Sequence, residues 1–140
     1  CANSIIGMPD ETRDLIFDTI NFVRKLPKTI DATGAFIFAP YHGTPLRTYA
    51  IEKGYIKDEE ICSLSNTSAS MLRMPTISKE EISGLAKVFS LYVKFPKERW
   101  PEIKIAEKND DEGNKMMAKL GKEFDKTYRQ FEATALDLHD

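Results

Sequence analysis

The chain opens on a short apolar segment, Ala2-Asn3-Ser4-Ile5-Ile6, which reads as a strand ended by Gly7-Met8-Pro9. Glycine tolerates a positive φ there and proline ends ladder hydrogen bonding. Ile16, Ile20 and Val23 then recur at spacings of four and three, the period of an amphipathic helix of roughly 16 residues. Asp10 is its expected N-cap, with Glu11 and Asp14 near the positive end of the helix dipole, Arg24 and Lys25 in the last turn, and Pro27 closing it. The next apolar run, Ala35-Phe36-Ile37-Phe38-Ala39, is continuous rather than alternating and follows Gly34. That pattern predicts a strand buried on both faces of a parallel sheet, so the first segments form a βαβ unit.

A second helix follows at once. Thr44 is its expected N-cap and Pro45 its first residue, it runs through Lys53, and Gly54 stands just past its end. Residues 57–77 lose clear periodicity, and Ser63 to Ser70 reads as an exposed loop. From Ser78 the chain turns helical. Ser78-Lys79-Glu80-Glu81 is a capping box, and Ile82, Leu85, Val88 or Phe89, and Tyr92 form an apolar stripe that stops before Pro96. A shorter helix is predicted over Lys97 to Lys108. After the polar break Asn109-Asp110-Asp111, Met117, Leu120, Phe124, Tyr128 and Phe131 line one side of a last helix. The shift in composition near residue 57 is the one boundary, giving 1–57 as a βαβα unit and 58–140 as a helical extension.

Composition narrows the function classes. With 140 residues, 41% of them hydrophobic, and seven Gly and seven Pro, the chain has the make-up of a globular domain rather than a fibrous or low-complexity one. Twenty basic against twenty-two acidic residues give a net charge of -2, and neither side of residue 57 forms a basic arm or an acidic tail. Nucleic acid and anionic membrane therefore have no large single-sign field to respond to. No apolar run approaches the roughly 18 residues of a membrane helix. The two cysteines, Cys1 and Cys62, are far apart and form no Cys-x-x-Cys pair or Cys/His cluster, which suits a reducing, cytoplasmic setting.

Two segments carry a resemblance. Asn3-Ser4-Ile5-Ile6-Gly7-Met8-Pro9-Asp10-Glu11-Thr12, followed by an amphipathic helix, resembles a late strand and loop of the radical SAM enzymes, in which a Gly-[Leu/Met]-Pro-x-Glu-Thr turn recurs. Phe36-Ile37-Phe38-Ala39-Pro40-Tyr41-His42-Gly43-Thr44-Pro45-Leu46, the helix Arg47 to Lys53 and Gly54-Tyr55-Ile56 are similar to the last barrel strand, its loop and the short helix after it. Phe89 to Pro101 looks like the helical tail of members that carry an N-terminal cobalamin-binding domain, a looser match. The resemblance implies an α/β fold class: the C-terminal βαβα fragment of a partial (β/α)6 TIM-type barrel, followed by a mostly α-helical extension.

It also implies a chemistry. In barrels of parallel strands the reacting groups gather at the C-terminal strand ends, and both Gly/Pro loops here follow strand ends. The family binds S-adenosylmethionine across those ends, beside a 4Fe-4S cluster, and cleaves it reductively to a 5'-deoxyadenosyl radical. Carried over, Gly7 and Met8 approach the nucleoside from the first loop, and Ala39, Pro40 and Tyr41 flank the adenine. Glu11 is expected to cap the helix or fix the loop rather than meet substrate. An electron donor such as flavodoxin or ferredoxin, and possible cobalamin-dependent chemistry, belong to the same implication.

The chain departs from the family at the cluster. Three cysteines, usually spaced Cys-x3-Cys-x2-Cys, supply the soft thiolates that hold it. Cys1 and Cys62 cannot replace them. The expectation is therefore a C-terminal portion of a longer enzyme, beginning inside the barrel, with the cluster ligands on the upstream part of the same polypeptide. No residue identifies the substrate or names a catalytic group.

Plainer readings stand beside these. Gly7 to Thr12 taken alone is an ordinary strand-to-helix turn with a capping carboxylate. His42 has a side chain able to titrate near neutrality, but a loop histidine without a visible partner reads as structural or exposed, and His139 as solvated. Cys62 reads as a small buried hydrophobe. Tyr92, Phe95 and Trp100 read as packing, and Lys94, Lys97 and Arg99, with Glu98 and Glu102 among them, as a mixed solvated face. The competing function is a self-contained, non-catalytic α/β-helical module that binds a nucleotide-like ligand or a protein partner. Its difficulty is that a two-stranded parallel sheet leaves open edges.

Overall fold

A computed structural model describes residues 2–27, 32–62 and 69–129. Within them lies a small mixed α/β unit with a two-stranded parallel sheet and five α-helices. Strand β1 (Ala2–Ile6) pairs with β2 (Ala32–Ile37), Ile5 opposite Phe36 and Ile6 opposite Ile37. The register passes over Thr33 of β2 between the pairs Ala2–Ala32 and Asn3–Gly34, a bulge beside Gly34 at φ +136°. The second strand therefore starts earlier than the apolar run and ends at Ile37, leaving Phe38 and Ala39 in the loop.

The crossover helix α1 (Arg13–Arg24) buries Ile16, Ile20 and Val23, as their spacing predicts. It is 12 residues long rather than about 16, because its N-cap is Thr12 and not Asp10 and it already ends at Arg24, with Lys25 as C-cap. Thr12 Oγ1 accepts from the Leu15 amide at 3.3 Å, while Asp10, at φ +62°, is turned away from the helix end. Helix α2 (Pro45–Glu52) begins at the expected Thr44 cap and ends with Gly54 at φ +74°.

Helix α3 (Lys79–Lys94) starts on the full capping box of Ser78 and Glu81 and buries Ile82, Leu85, Val88, Phe89 and Tyr92. The stretch predicted as one helix over 97–108 is a 3-10 turn (Lys97–Arg99) followed by α4 (Trp100–Ala106). Helix α5 (Asp111–Phe124) is capped by Asp110 and runs into a π-helical turn over Asp125–Arg129. Leu120 is buried, and Met117, Phe124 and Tyr128 pack against the core. Cys1, Phe131 and His139 lie outside the described residues.

Ile6 and Ile37 share one core with Ile16 and Ile20 of α1, Ile82 and Leu85 of α3, Ile103 and Leu120. Leu72, Met74 and Ile77 join it from the stretch without periodicity, pinned in part by the Arg73 amide donating to the Tyr55 carbonyl at 2.8 Å. Phe17, Tyr92 and Trp100 form an aromatic cluster between α1, α3 and α4, with centroids 5.0 to 5.5 Å apart and Tyr92 edge-to-face with the other two. The guanidinium of Arg24 caps the end of α3 through the carbonyls of Tyr92, Val93 and Phe95 at 2.6 to 2.9 Å.

The expectation that β2 is buried on both faces does not hold. Ile5 is 57% and Phe36 58% exposed, side by side on the face opposite Ile6 and Ile37. The helices that carry the core cover one face of the pair, and among the described residues no layer covers the other. No described helix is long and apolar enough to cross a membrane.

Candidate functional site

The uncovered sheet face continues into a groove of about 380 Å3 at the C-terminal strand ends. Ile5, Phe36 and Phe38 form its floor, and Ala39, Tyr41, Thr44 and Leu46 form its wall. Ala39 and Tyr41, two of the residues singled out from the sequence, thus meet at one apolar surface. Pro40 lies between them and is buried, its carbonyl facing Arg47. Its turn is short: the Tyr41 amide donates to the Ala39 carbonyl at 2.9 Å, and the Thr44 hydroxyl donates to the Tyr41 carbonyl at 2.7 Å. His42 is exposed on this loop.

Gly7 and Met8 form the neighbouring loop but do not line the groove. Gly7 is buried at φ +79°, a conformation that favours glycine, and a Cβ there would press on Ile82 Cγ2 of α3 at 3.1 Å. Glu11 fixes this loop. One carboxylate oxygen, Oε2, accepts from the Gly7 amide at 2.5 Å and from the Met8 amide at 3.1 Å. Burial raises the Glu11 pKa, outweighing the two backbone donors that favour its charged form. Ionisation therefore costs folding free energy as pH rises through the ordinary carboxylate range.

A substitution pair follows from that geometry. Glu11→Gln keeps a side-chain oxygen for both amides and removes a poorly solvated charge, so urea denaturation is expected to place it within about 1 kcal/mol of wild type. Glu11→Ala leaves two amides unpaired and is expected to cost about 1–3 kcal/mol. Equal losses from both substitutions would show that the charge, not the acceptor, holds the loop.

Two polar arrangements flank α2, which walls the groove. Arg47 is 3% exposed, with Nη1 donating to the Pro40 carbonyl at 3.0 Å and Nη2 to those of Asp58 and Glu60 at 2.9 and 2.7 Å. It ties the groove wall to the segment after α2. Asp10 bridges the phenols of Tyr49 and Tyr55, which donate to its two carboxylate oxygens. Those bonds hold its carboxyl below the usual range and raise both phenols, Tyr55 to about 12. A sequence signal for Asp10 existed, since aspartate in a turn tolerates the left-handed region, but its place before a helix read as a cap.

The remaining candidates take plainer places. Cys62 is half-buried and free. Tyr92, Phe95 and Trp100 are packing residues. Arg99 pairs with Glu102 and Glu123 at 2.6 and 2.8 Å on a mixed surface. Among the described residues no three histidine, cysteine or carboxylate side chains gather as a metal site. Comparisons of the chain with protein-family models, with curated proteins and with solved structures find no match.

Proposed function

We propose that the chain is the C-terminal part of a radical SAM enzyme and that the groove receives the nucleoside end of S-adenosylmethionine. The observation that carries this reading is the uncovered apolar face of a parallel strand pair running into a groove at the C-terminal strand ends, walled by the second motif loop. A closed partial barrel turns that face inward, and ligands of such barrels bind at the C-terminal strand ends into which it runs. The outer flank of α1 fits the same reading. Arg13, Phe17 and Arg24 face α3 and α4, Ile16 and Val23 are buried, and Leu15 and Phe22 continue round the helix as exposed apolar residues away from α3. A further strand–helix unit added beyond β1 would cover them.

The residues suit one part of the cofactor. An apolar floor with an exposed tyrosine offers a flat base a stacking surface and excludes water from it, and the short turn over 39–44 holds that wall in place. The cluster does not fit: three thiolates are needed and the sequence has two cysteines. Its reductive chemistry belongs, in this reading, to the upstream part of the polypeptide, with a ferredoxin- or flavodoxin-type donor and, on the looser tail resemblance, a cobalamin domain.

The test is titration of the isotopically labelled chain with S-adenosylmethionine, followed by NMR. Shifts confined to Ile5, Phe36, Phe38, Ala39 and Tyr41, with weak affinity, are the expected result. Shifts scattered over α3 to α5, or none at the groove, would remove it. The second reading, a self-contained binding module, draws on the single core that joins residues from both sides of position 57. It expects a monomer that unfolds cooperatively, whereas the exposed sheet face and edges of a barrel part expect self-association.

A further inference from the structure

Asp10 and Glu11 are adjacent carboxylates that do opposite things. Glu11 turns back onto the amides of its own loop, and Asp10 turns outward to two phenols of another segment. The divergence depends on the backbone of Asp10, at φ +62°, the one non-glycine residue with positive φ among those described. A left-handed aspartate costs roughly 1–2 kcal/mol and persists where its surroundings over-determine it. Here both carboxylate oxygens are engaged, one by Tyr49 of α2 and one by Tyr55 just after it. Lys53 adds a cation 5.5 Å from the centre of the Tyr49 ring. Tyr49 stands one turn beyond Leu46, so the helix that walls the groove is the element to which the first loop is fastened.

We propose that Asp10 is a positioning residue: shared by Tyr49 and Tyr55, it latches α2 to the neighbouring 7–12 loop, so that the helix carrying Leu46 presents a fixed groove wall to a ligand. The ligand part of this rests on the reading above; the latch itself does not. Strain at Asp10 is the cost of joining loops that no strand pairing connects beyond Ile6 and Ile37. A residue that served stability alone would gain from a backbone without that strain.

Asp10→Gly separates these roles, because glycine relieves the φ and removes the carboxylate. The expected result is a urea midpoint held near wild type, with amide hydrogen exchange in 7–12 and 41–49 about tenfold faster and α3 unchanged. Tyr49→Phe with Tyr55→Phe is expected to reproduce the loop effect while leaving the Asp10 backbone alone. Asp10→Asn, which tolerates the same φ and keeps one acceptor oxygen, is expected to rescue part of the protection. S-adenosylmethionine shifts at Ala39 and Tyr41 should need several-fold more ligand in Asp10→Gly. Wild-type exchange in both loops of Asp10→Gly, or acceleration spread equally through α3, would overturn the latch. If the wild-type groove shows no shift with S-adenosylmethionine, the ligand reading falls, and the exchange result still decides the latch.

Discussion

Replacing Arg47 by methionine is expected to lower stability by about 3 kcal/mol, the low end of what breaking a buried charged network costs. The apolar stem survives this change, so the loss is that of the guanidinium. Three carbonyls, from Pro40, Asp58 and Glu60, converge on it. The bond to Pro40 is buried and has no solvent to replace it, whereas the other two lie nearer the surface and can recover water. Lysine is expected to be only a partial substitute, because one ammonium cannot reproduce the planar fork that reaches both segments. Urea denaturation gives the energy. Hydrogen exchange locates it, with protection lost first at 40–47 and 58–60. A midpoint unchanged to within about 0.5 kcal/mol, the range of ordinary surface substitutions, would mean that Arg47 does not hold the groove wall.

The second large effect is at a helix crossing. A Cβ on Gly84 would lie 2.5 Å from the Glu107 carbonyl oxygen, closer than atoms can pack, and a tight 3.2 Å from its carbon. Glu107 cannot simply move away. Its carboxylate makes a bidentate pair with Arg13 at 2.9 and 2.7 Å and also accepts from the Tyr92 phenol, whose pKa is raised by its burial and by that bond. Displacing the end of α4 therefore disturbs the contact between α1, α3 and α4 together. Alanine gains about 1 kcal/mol of helix propensity, but backbone overlap outweighs it, and Gly84→Ala is expected to be destabilising by about 2–4 kcal/mol. Gly121 in α5 is the control. Nothing lies within 4 Å of its added Cβ, so Gly121→Ala is expected to stabilise by about 0.5–1 kcal/mol. Two Gly→Ala changes of opposite sign, measured by thermal unfolding, test the packing; equal signs would contradict it.

How far the chain was legible depended on the range of the interaction. Caps at Thr44, Ser78 and Asp110 bond to amides three residues away, so a few letters suffice to place or bracket them. The stripes Ile16-Ile20-Val23 and Ile82-Leu85-Tyr92 likewise follow from helical period alone. Leu72, Met74 and Ile77 were hidden because a buried segment outside any helix or strand has no period to betray it. The bonds of Arg13 to Glu107 and of Arg24 to the end of α3 join residues that only the fold brings together. The run Ala35 to Ala39 reads as buried on both faces because its outer face is apolar; the letters record what a face is made of, not whether anything covers it. The same holds for the candidate site. Ala39 and Tyr41 reach the groove, while Gly7, with the right conformation, is spent on packing against Ile82.

The uncovered face, the open strand edges and the exposed flank of α1 all concern what stands next to β1. The most direct measurement is therefore the reading frame upstream of Cys1, translated and expressed with the present residues as one chain. Four further strand–helix units at roughly 30 residues each place a Cys-x3-Cys-x2-Cys motif about 100–150 residues upstream. The longer chain should then bind iron and sulfide and cleave S-adenosylmethionine under reducing conditions. A stop codon just before Cys1, or a long open frame without three such cysteines, would contradict the radical SAM reading and leave the self-contained binding module as the function of this fold.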